Sequence, residues 1–280
     1  DTGEGTVSAS SLAFTTTNWN ADQTVTITGV ADNLSDGDQS YAIRLLADNT
    51  STDLGYKYVD PEDVTLKNLD TEKGGYYVSS VSGDTDESGK TASFTVRLRS
   101  EPTSGVTIYV ASSDTGEGTV SASSLAFTTT NWNADQTVTI TGVADNLSDG
   151  DQSYAIRLLA DNTSTDLGYK YVDPEDVTLK NLDTEKGGYY VSSVSGDTDE
   201  SGKTASFTVR LRSEPTSGVT IYVASSDTGE GTVSASSLAF TTTNWNADQT
   251  VTITGVADNL SDGDQSYAIR LLADNTSTDL

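Results

Sequence analysis

The chain contains no cysteine, no methionine and no histidine. Without cysteine no disulfide can brace it, so stability must come from a packed core or from bound ions. The same absence is compatible with export in the unfolded state. Nucleophilic catalysis through cysteine or histidine is excluded. Proline is scarce, at 4 residues, and so is positive charge: 15 Lys and Arg stand against 42 Asp and Glu, a net charge of −27. A surface of that sign repels nucleic acid and anionic membranes and attracts cations. No apolar run approaches the roughly 18 residues of a membrane span. Neither nucleic acid nor membrane insertion is therefore expected among its partners.

What the sequence does contain is repetition. The text DTGEGTVSASSLAFTTTNWNADQTV opens at Asp1 and again, without substitution, at Asp114 and Asp227, a period of 113 residues. Solenoid repeats run to about 20–50 residues. A period of this length is domain-sized, so each repeat is expected to be a self-contained module. The flexible pairs Gly74–Gly75 and Gly187–Gly188 precede the same strand-like text and mark the breaks. Residues 74–186 read as one complete module. Residues 1–73 read as the later part of a preceding module, and 187–280 as a following module lacking only its last strand. The 280 residues are expected to be a window on a longer protein.

Within 74–186, strand-like segments follow one another with turn signals between them. GYYVSSVSG (75–83) comes first. In TASFTVRLRS (91–100), Phe94, Val96 and Leu98 alternate with Thr95, Arg97 and Arg99, the period of a half-buried strand. GVTIYVASS (105–113), SLAFTTT (124–130), QTVTITGV (136–143), SYAIRLLAD (153–161) and DVTLKNLD (176–183) follow. Seven short strands with no segment of helical period predict an all-β fold of tandem, immunoglobulin-like, seven-stranded sandwiches.

In such a sandwich every second connection lies at the same end. That end collects four acidic stretches. GDTDESGK (83–90) carries Asp84, Asp86 and Glu87, and SDTGEGT (113–119) carries Asp114 and Glu117. ADNLSDGDQ (144–152) carries Asp145, Asp149 and Asp151, and NLDTE (181–185) carries Asp183 and Glu185. Carboxylates gathered closely raise one another's pKa unless a cation joins them. Oxygen donors without histidine or cysteine suit a hard cation, and Ca²⁺ tolerates an irregular set of six to eight oxygens better than Mg²⁺ does. The candidate ligands are Glu87, Asp114, Asp145, Asp149, Asp151, Asp183 and Glu185. Their copies are Asp1, Asp32, Asp36 and Asp70 in the first segment, and Glu200, Asp227, Asp258 and Asp262 in the last. The 145–156 stretch is not an EF-hand, because its third position is Leu147 and its twelfth is Ile156. Solvated turns remain the alternative, since Asp, Asn and Gly favour turns.

SLAFTTTNWNADQTVTITGVADNLSDGDQSYAIRL, with DESGKTASFTVRL (86–98) ahead of it, resembles the Calx-beta domain. It is most similar to the tandem Calx-beta-like modules of very large bacterial surface proteins. The NWN–TVTITGV–DGD combination carries the resemblance, which spans all of 74–186. It implies a seven-stranded sandwich whose loop and exit acids hold calcium. Glu87, Asp114, Asp145, Asp149 and Asp183 match the family's acidic positions. Gln152 and Asn146 stand where acids are common, and the exit run is thinned to Asp183, Thr184 and Glu185. Each departure keeps an oxygen and loses charge, so fewer or weaker ions are expected. Extracellular modules bind calcium at about 10⁻⁴–10⁻³ M.

No enzyme is expected. Paired carboxylates can hydrolyse glycosides, but so small a module offers no groove-forming insertion. No Gly-rich loop opens a helix to cradle phosphate. Trp132, with copies Trp19 and Trp245, either stacks on a sugar or anchors one end of the sandwich. The expected role is an extender, stalk or fibre in a secreted, cell-surface bacterial protein, stiffened by calcium where adjacent identical modules meet. The other reading is a multivalent adhesive array binding glycans or neighbouring fibres, with avidity from the many copies. Self-association into filaments by strand exchange is a variant of the first.

Overall fold

The computed structural model describes residues 1–258 and 260–274. The last part of the 187–280 segment, 275–280, lies outside the described residues. All regular elements are strands, and no helix among the described residues is long and apolar enough to cross a membrane. The protein is all-β.

Residues 1–73 contribute β1 (Gly5–Val7), β2 (Ile27–Gly29), β3 (Gln39–Ile43) and β4 (Val64–Asn68). These form two antiparallel pairs, β1–β2 and β3–β4. The central stretch supplies β5 (Tyr76–Val78), β6 (Thr85–Asp86), β7 (Thr91–Leu98), β8 (Val106–Ser112) and β9 (Gly118–Val120). It continues with β10 (Ser124–Phe127), β11 (Gln136–Gly142), β12 (Gln152–Ala160) and β13 (Val177–Leu182). The last stretch repeats the pattern, without counterparts of β6 and β13 among the described residues, as β14 (Tyr189–Val191), β15 (Thr204–Leu211), β16 (Val219–Ser225) and β17 (Gly231–Val233). It ends with β18 (Ser237–Phe240), β19 (Gln249–Gly255) and β20 (Ile269–Ala273).

The central strands make a sandwich of two sheets, ordered β10-β8-β12-β13-β6 and β5-β7-β11-β9. Every pairing is antiparallel except β13 with β6, which is parallel. Six of the seven expected strands contain an observed one, and the remaining one, 153–161, overlaps β12, which begins one residue earlier at Gln152. Two more, Thr85–Asp86 and Gly118–Val120, are too short to show an alternation in sequence. The opening stretch also divides. Tyr76–Val78 joins the four-stranded sheet, and Thr85–Asp86 crosses to the edge of the five-stranded one.

The alternating apolar residues meet between the sheets. Phe94, Val96 and Leu98 of β7, Val138 and Ile140 of β11, Ile108 of β8, and Ile156 and Leu158 of β12 are all buried in one cluster. Trp132 packs against it, and its carbonyl accepts the Leu98 N–H at 2.9 Å, the contacts of a structural anchor. Burial demands partners for polar groups; Tyr76 OH is buried without one, but the polar groups around Tyr169 and Asp166 are paired. Tyr169 OH donates to Ser100 O at 2.6 Å, and Asp166 accepts the Thr103 N–H at 2.7 Å and the Gly168 N–H at 2.8 Å. Identical text does not guarantee identical burial. Phe14 is 58% exposed and its copy Phe127 only 1%, because residues 1–73 include no counterpart of β7 and β8 for it to pack on.

Candidate metal centre

The parallel pairing of β6 with β13 builds this site. Asn181 lies beside Thr85 and Leu182 beside Asp86, so Glu87 emerges next to the chain exit at 183–185. The Glu87 N–H donates to Leu182 O at 3.2 Å. Gly142 makes the approach possible: a Cβ there would lie 2.1 Å from Asp86 O. Beneath, Thr85 Oγ1 is 2.9 Å from Tyr154 OH and 3.0 Å from Asn181 Oδ1, a buried polar floor.

Glu87 is 6% exposed. Its Oε2 accepts the Thr184 N–H at 2.9 Å. Carboxylate oxygens of Glu87, Asp183 and Glu185 lie within 4.8 Å of one another. Burial pushes the Glu87 carboxyl up to about 7, and a hydrogen bond to the Glu185 side chain and the charges of Glu185 and Asp145 add to the rise. The Thr184 N–H works the other way.

The exit and the 145–151 loop are laced together. Asp183 Oδ2 accepts the Gly150 N–H at 2.9 Å, its Oδ1 accepts the Glu185 N–H at 2.8 Å, and its own N–H donates to Asp151 Oδ1 at 3.3 Å. Asp151 also faces Lys180 at 3.9 Å. Asp145 Oδ1 caps the Leu147 N–H at 2.7 Å, and Asp114 Oδ1 caps the Gly116 N–H at 2.9 Å. Glu117 belongs to this group although the candidate set above omits it. Its Oε2 accepts Asn181 Nδ2 at 3.3 Å. Burial raises its carboxyl, and the charges of Asp145, Asp149 and Asp114 push the same way. Its spacing three residues after Asp114 was the available sequence signal. Asp86 is held below the usual carboxylate range, chiefly by the Ser88 hydroxyl, and acts as a turn former.

The last stretch brings together a different subset of equivalent positions: Glu200, Asp258 and Asp262, again within 4.8 Å and all exposed. Glu200 is the copy of Glu87, Asp258 of Asp145 and Asp262 of Asp149. Glu230, the copy of Glu117, is raised by desolvation first and then by Asp262, Asp258, Asp227 and Glu200. In the first segment, Asp70 Oδ2 accepts the Gly37 N–H at 2.7 Å, Asp32 Oδ1 caps the Leu34 N–H at 2.9 Å, and Asp1 Oδ1 caps the Gly3 N–H at 3.0 Å. Asp32, Asp36 and Asp70 line one cleft there. Among the described residues, the candidates outside the two close groups are Asp1, Asp32, Asp36, Asp70, Asp114, Asp145, Asp149, Asp151 and Asp227.

The 145–149 loop has a second task. Asn146 O accepts the Glu214 N–H at 2.7 Å, and Ser148 Oγ accepts the Gly187 N–H at 3.2 Å. One period earlier Asn33 O accepts the Glu101 N–H at 2.6 Å, and Ser35 Oγ accepts the Gly74 N–H at 3.1 Å. Leu34 with Glu101, and Leu147 with Glu214, form isolated parallel bridges. Each acidic loop thus touches the segment that follows it. Gly74 sits against Gly168, where a Cβ would lie 1.9 Å from the carbonyl oxygen.

The donor set is all oxygen, partly buried and electrostatically strained, which fits a hard divalent cation and not a soft one. No protein-family model and no curated protein matches the sequence. Among solved structures, the CBD12 segment of CALX1.2 is similar at 15% identity over 68% of this chain and 76% of its own, with a TM-score of 0.28. The calcium binding domain CBD12 of CALX1.1 is similar at 16% identity over 69% and 79%, with a TM-score of 0.29. Domains 4–9 of the surface layer protein SbsC are similar at 15% identity over 91% of this chain and 43% of theirs, with a TM-score of 0.26. At such scores the likeness bears on neither the site nor the function.

Proposed function

We propose that the chain is an array of Calx-beta-like sandwich modules in an extracellular bacterial surface protein, serving as an extender whose joints are stiffened by Ca²⁺. In this reading 74–186 is one module, 1–73 belongs to the module before it and 187–280 to the module after. The observation that carries the proposal is the meeting of Glu87, Asp183 and Glu185 beside a loop that also grips the following segment. Glu87, Asp183 and Glu185, with Asp145 and Asp149, would hold the ion. The ion would supply the positive charge that these carboxylates otherwise lack. The loop between Asp145 and Asp149 would pass that ordering to the joint.

The test is thermal unfolding of the chain with calcium, with magnesium and with chelator. A ligand that binds only the native state raises the melting temperature with its concentration, by the equivalent of about 2.7 kcal/mol at one hundred times its Kd. Calcium is expected to raise it in the millimolar range and magnesium to do so far less. The double variant Glu87→Ala/Glu200→Ala should respond to calcium about 10–100-fold more weakly, the scale seen when groups around a metal are removed. If the unmodified chain melts at the same temperature in all three conditions, the loops are solvated turns and the proposal is wrong.

A further inference from the structure

Positive charge is rare in this molecule, and where it sits is informative. None of the strands β5, β7, β9 and β11 contains an Asp or Glu. The outward positions of β7 and β11 alternate with the buried Phe94, Val96, Val138 and Ile140, and include Ser93, Thr95, Thr137 and Thr139. Tyr77, Arg97 and Arg99 stand on this neutral face. Tyr77 is 51% exposed, and the guanidinium carbons of Arg97 and Arg99 lie 4.9 and 5.1 Å from its ring centroid. Arg99 Nε donates to Tyr76 O at 3.1 Å. Arg97 faces Asp135 at 3.8 Å, but among the described residues no carboxylate lies within 4.0 Å of Arg99. The arrangement recurs one period on. Arg210 and Arg212 both lie 5.0 Å from the Tyr190 ring, Arg210 faces Asp248 at 3.9 Å, and among the described residues Arg212 has no carboxylate within 4.0 Å.

An arginine held by a stacked ring and a backbone carbonyl loses little freedom when a carboxylate arrives, and its fork can take both oxygens. In a chain of this composition, an uncompensated guanidinium is a vacancy for an acid from outside the module. The same chain supplies such acids, concentrated in its loops and spaced by the same 113 residues. Two copies laid side by side with one offset would therefore meet at every module, and weak contacts would multiply.

We propose that this Tyr–Arg–Arg face is a self-association surface, docking onto the acidic loop ends of a second copy of the chain. Attraction at the contact is short-ranged, whereas the net charge of −27 repels over the whole molecule. The Debye length is about 30 Å at 0.01 M salt, about 10 Å at 0.1 M and about 3 Å at 1 M. Association is therefore strongest at intermediate salt: global repulsion opposes it below, and screened contacts weaken it above. The proposal does not rest on the calcium reading, because its test is run in chelator.

Sedimentation velocity of the full chain at roughly these three salt concentrations gives the answer. The associated fraction should peak near 0.1 M. The variant Arg97→Gln/Arg99→Gln/Arg210→Gln/Arg212→Gln should associate about tenfold more weakly or less, since truncating interfacial charges acts on such contacts directly. The salt profile of the unmodified chain decides the matter even if that variant folds poorly. A monomer at every salt concentration, association that climbs steadily with salt, or association that survives in a folded variant would each overturn the proposal. So would arginine-dependent binding of dextran sulfate by a chain that stays monomeric, which would make the face a polyanion site.

Discussion

Glu87 is buried although its carboxylate is far better solvated by water than by protein. The fold keeps it there by giving it the Thr184 N–H and a carboxyl neighbour, and leaves its pKa at about 7 instead of 4.5. A raised carboxyl favours the protonated native state. Its contribution to stability is fully present below about 4.5 and is lost as pH rises through about 7. In chelator, the melting temperature of the chain should fall across that window more steeply than that of Glu87→Gln, whose amide keeps the neutral shape at every pH. Equal slopes for the two proteins would mean that Glu87 does not titrate there. An ion would reverse the preference by favouring the carboxylate, so calcium addition near pH 6 should release protons.

At the scale of elements, the site depends on two residues of β6 lying parallel to the end of β13. Nothing local announces this pairing. Thr85–Asp86 is too short for a hydrophobic pattern, and its partners lie 96 residues away in the chain, at Asn181 and Leu182. The long strands were legible because each alternates over five or more residues, as TASFTVRL does from Thr91 to Leu98. The crossing needs the space over Gly142. Gly142→Ala would place a methyl group 2.1 Å from Asp86 O and 2.6 Å from Asn181 Oδ1. Overpacking of this kind costs about 1–3 kcal/mol. Hydrogen exchange at the Glu87 amide, which donates to Leu182 O, should quicken in this variant while exchange in the middle of β7 changes little. Unchanged protection at Glu87 would show that the β6 crossing tolerates the methyl group.

At the scale of the whole molecule, one loop serves two neighbours. The 145–149 segment brings the charges of Asp145 and Asp149 to bear on Glu117, and that of Asp145 on Glu87, and gives Asn146 O and Ser148 Oγ to the next segment. Backbone hydrogen bonds alone give the joint some order, and an ion holding the same loop should add more. The absence of cysteine makes labelling simple. Nitroxides on Tyr109→Cys and Tyr222→Cys, equivalent exposed positions one period apart, should show a broad distance distribution in chelator and a narrower one in calcium. Equal widths would separate ion binding, if present, from stiffness of the joint.

The sequence by itself determined the period, the all-β class, the burial alternation of the long strands and the oxygen-only chemistry of the loops. These are local properties, set by side-chain type at a period of two or by turn residues, and each repeat states them again. Tertiary structure alone decided which acids meet. Glu87 joins Asp183 and Glu185 through a parallel contact between distant residues, Glu117 enters through Asn181, and Asp151 turns toward Lys180. Identical letters even took different surroundings, as Phe14 and Phe127 show. Burial and proximity belong to the packed sheets and not to the residue, so no reading of one repeat's text contains them.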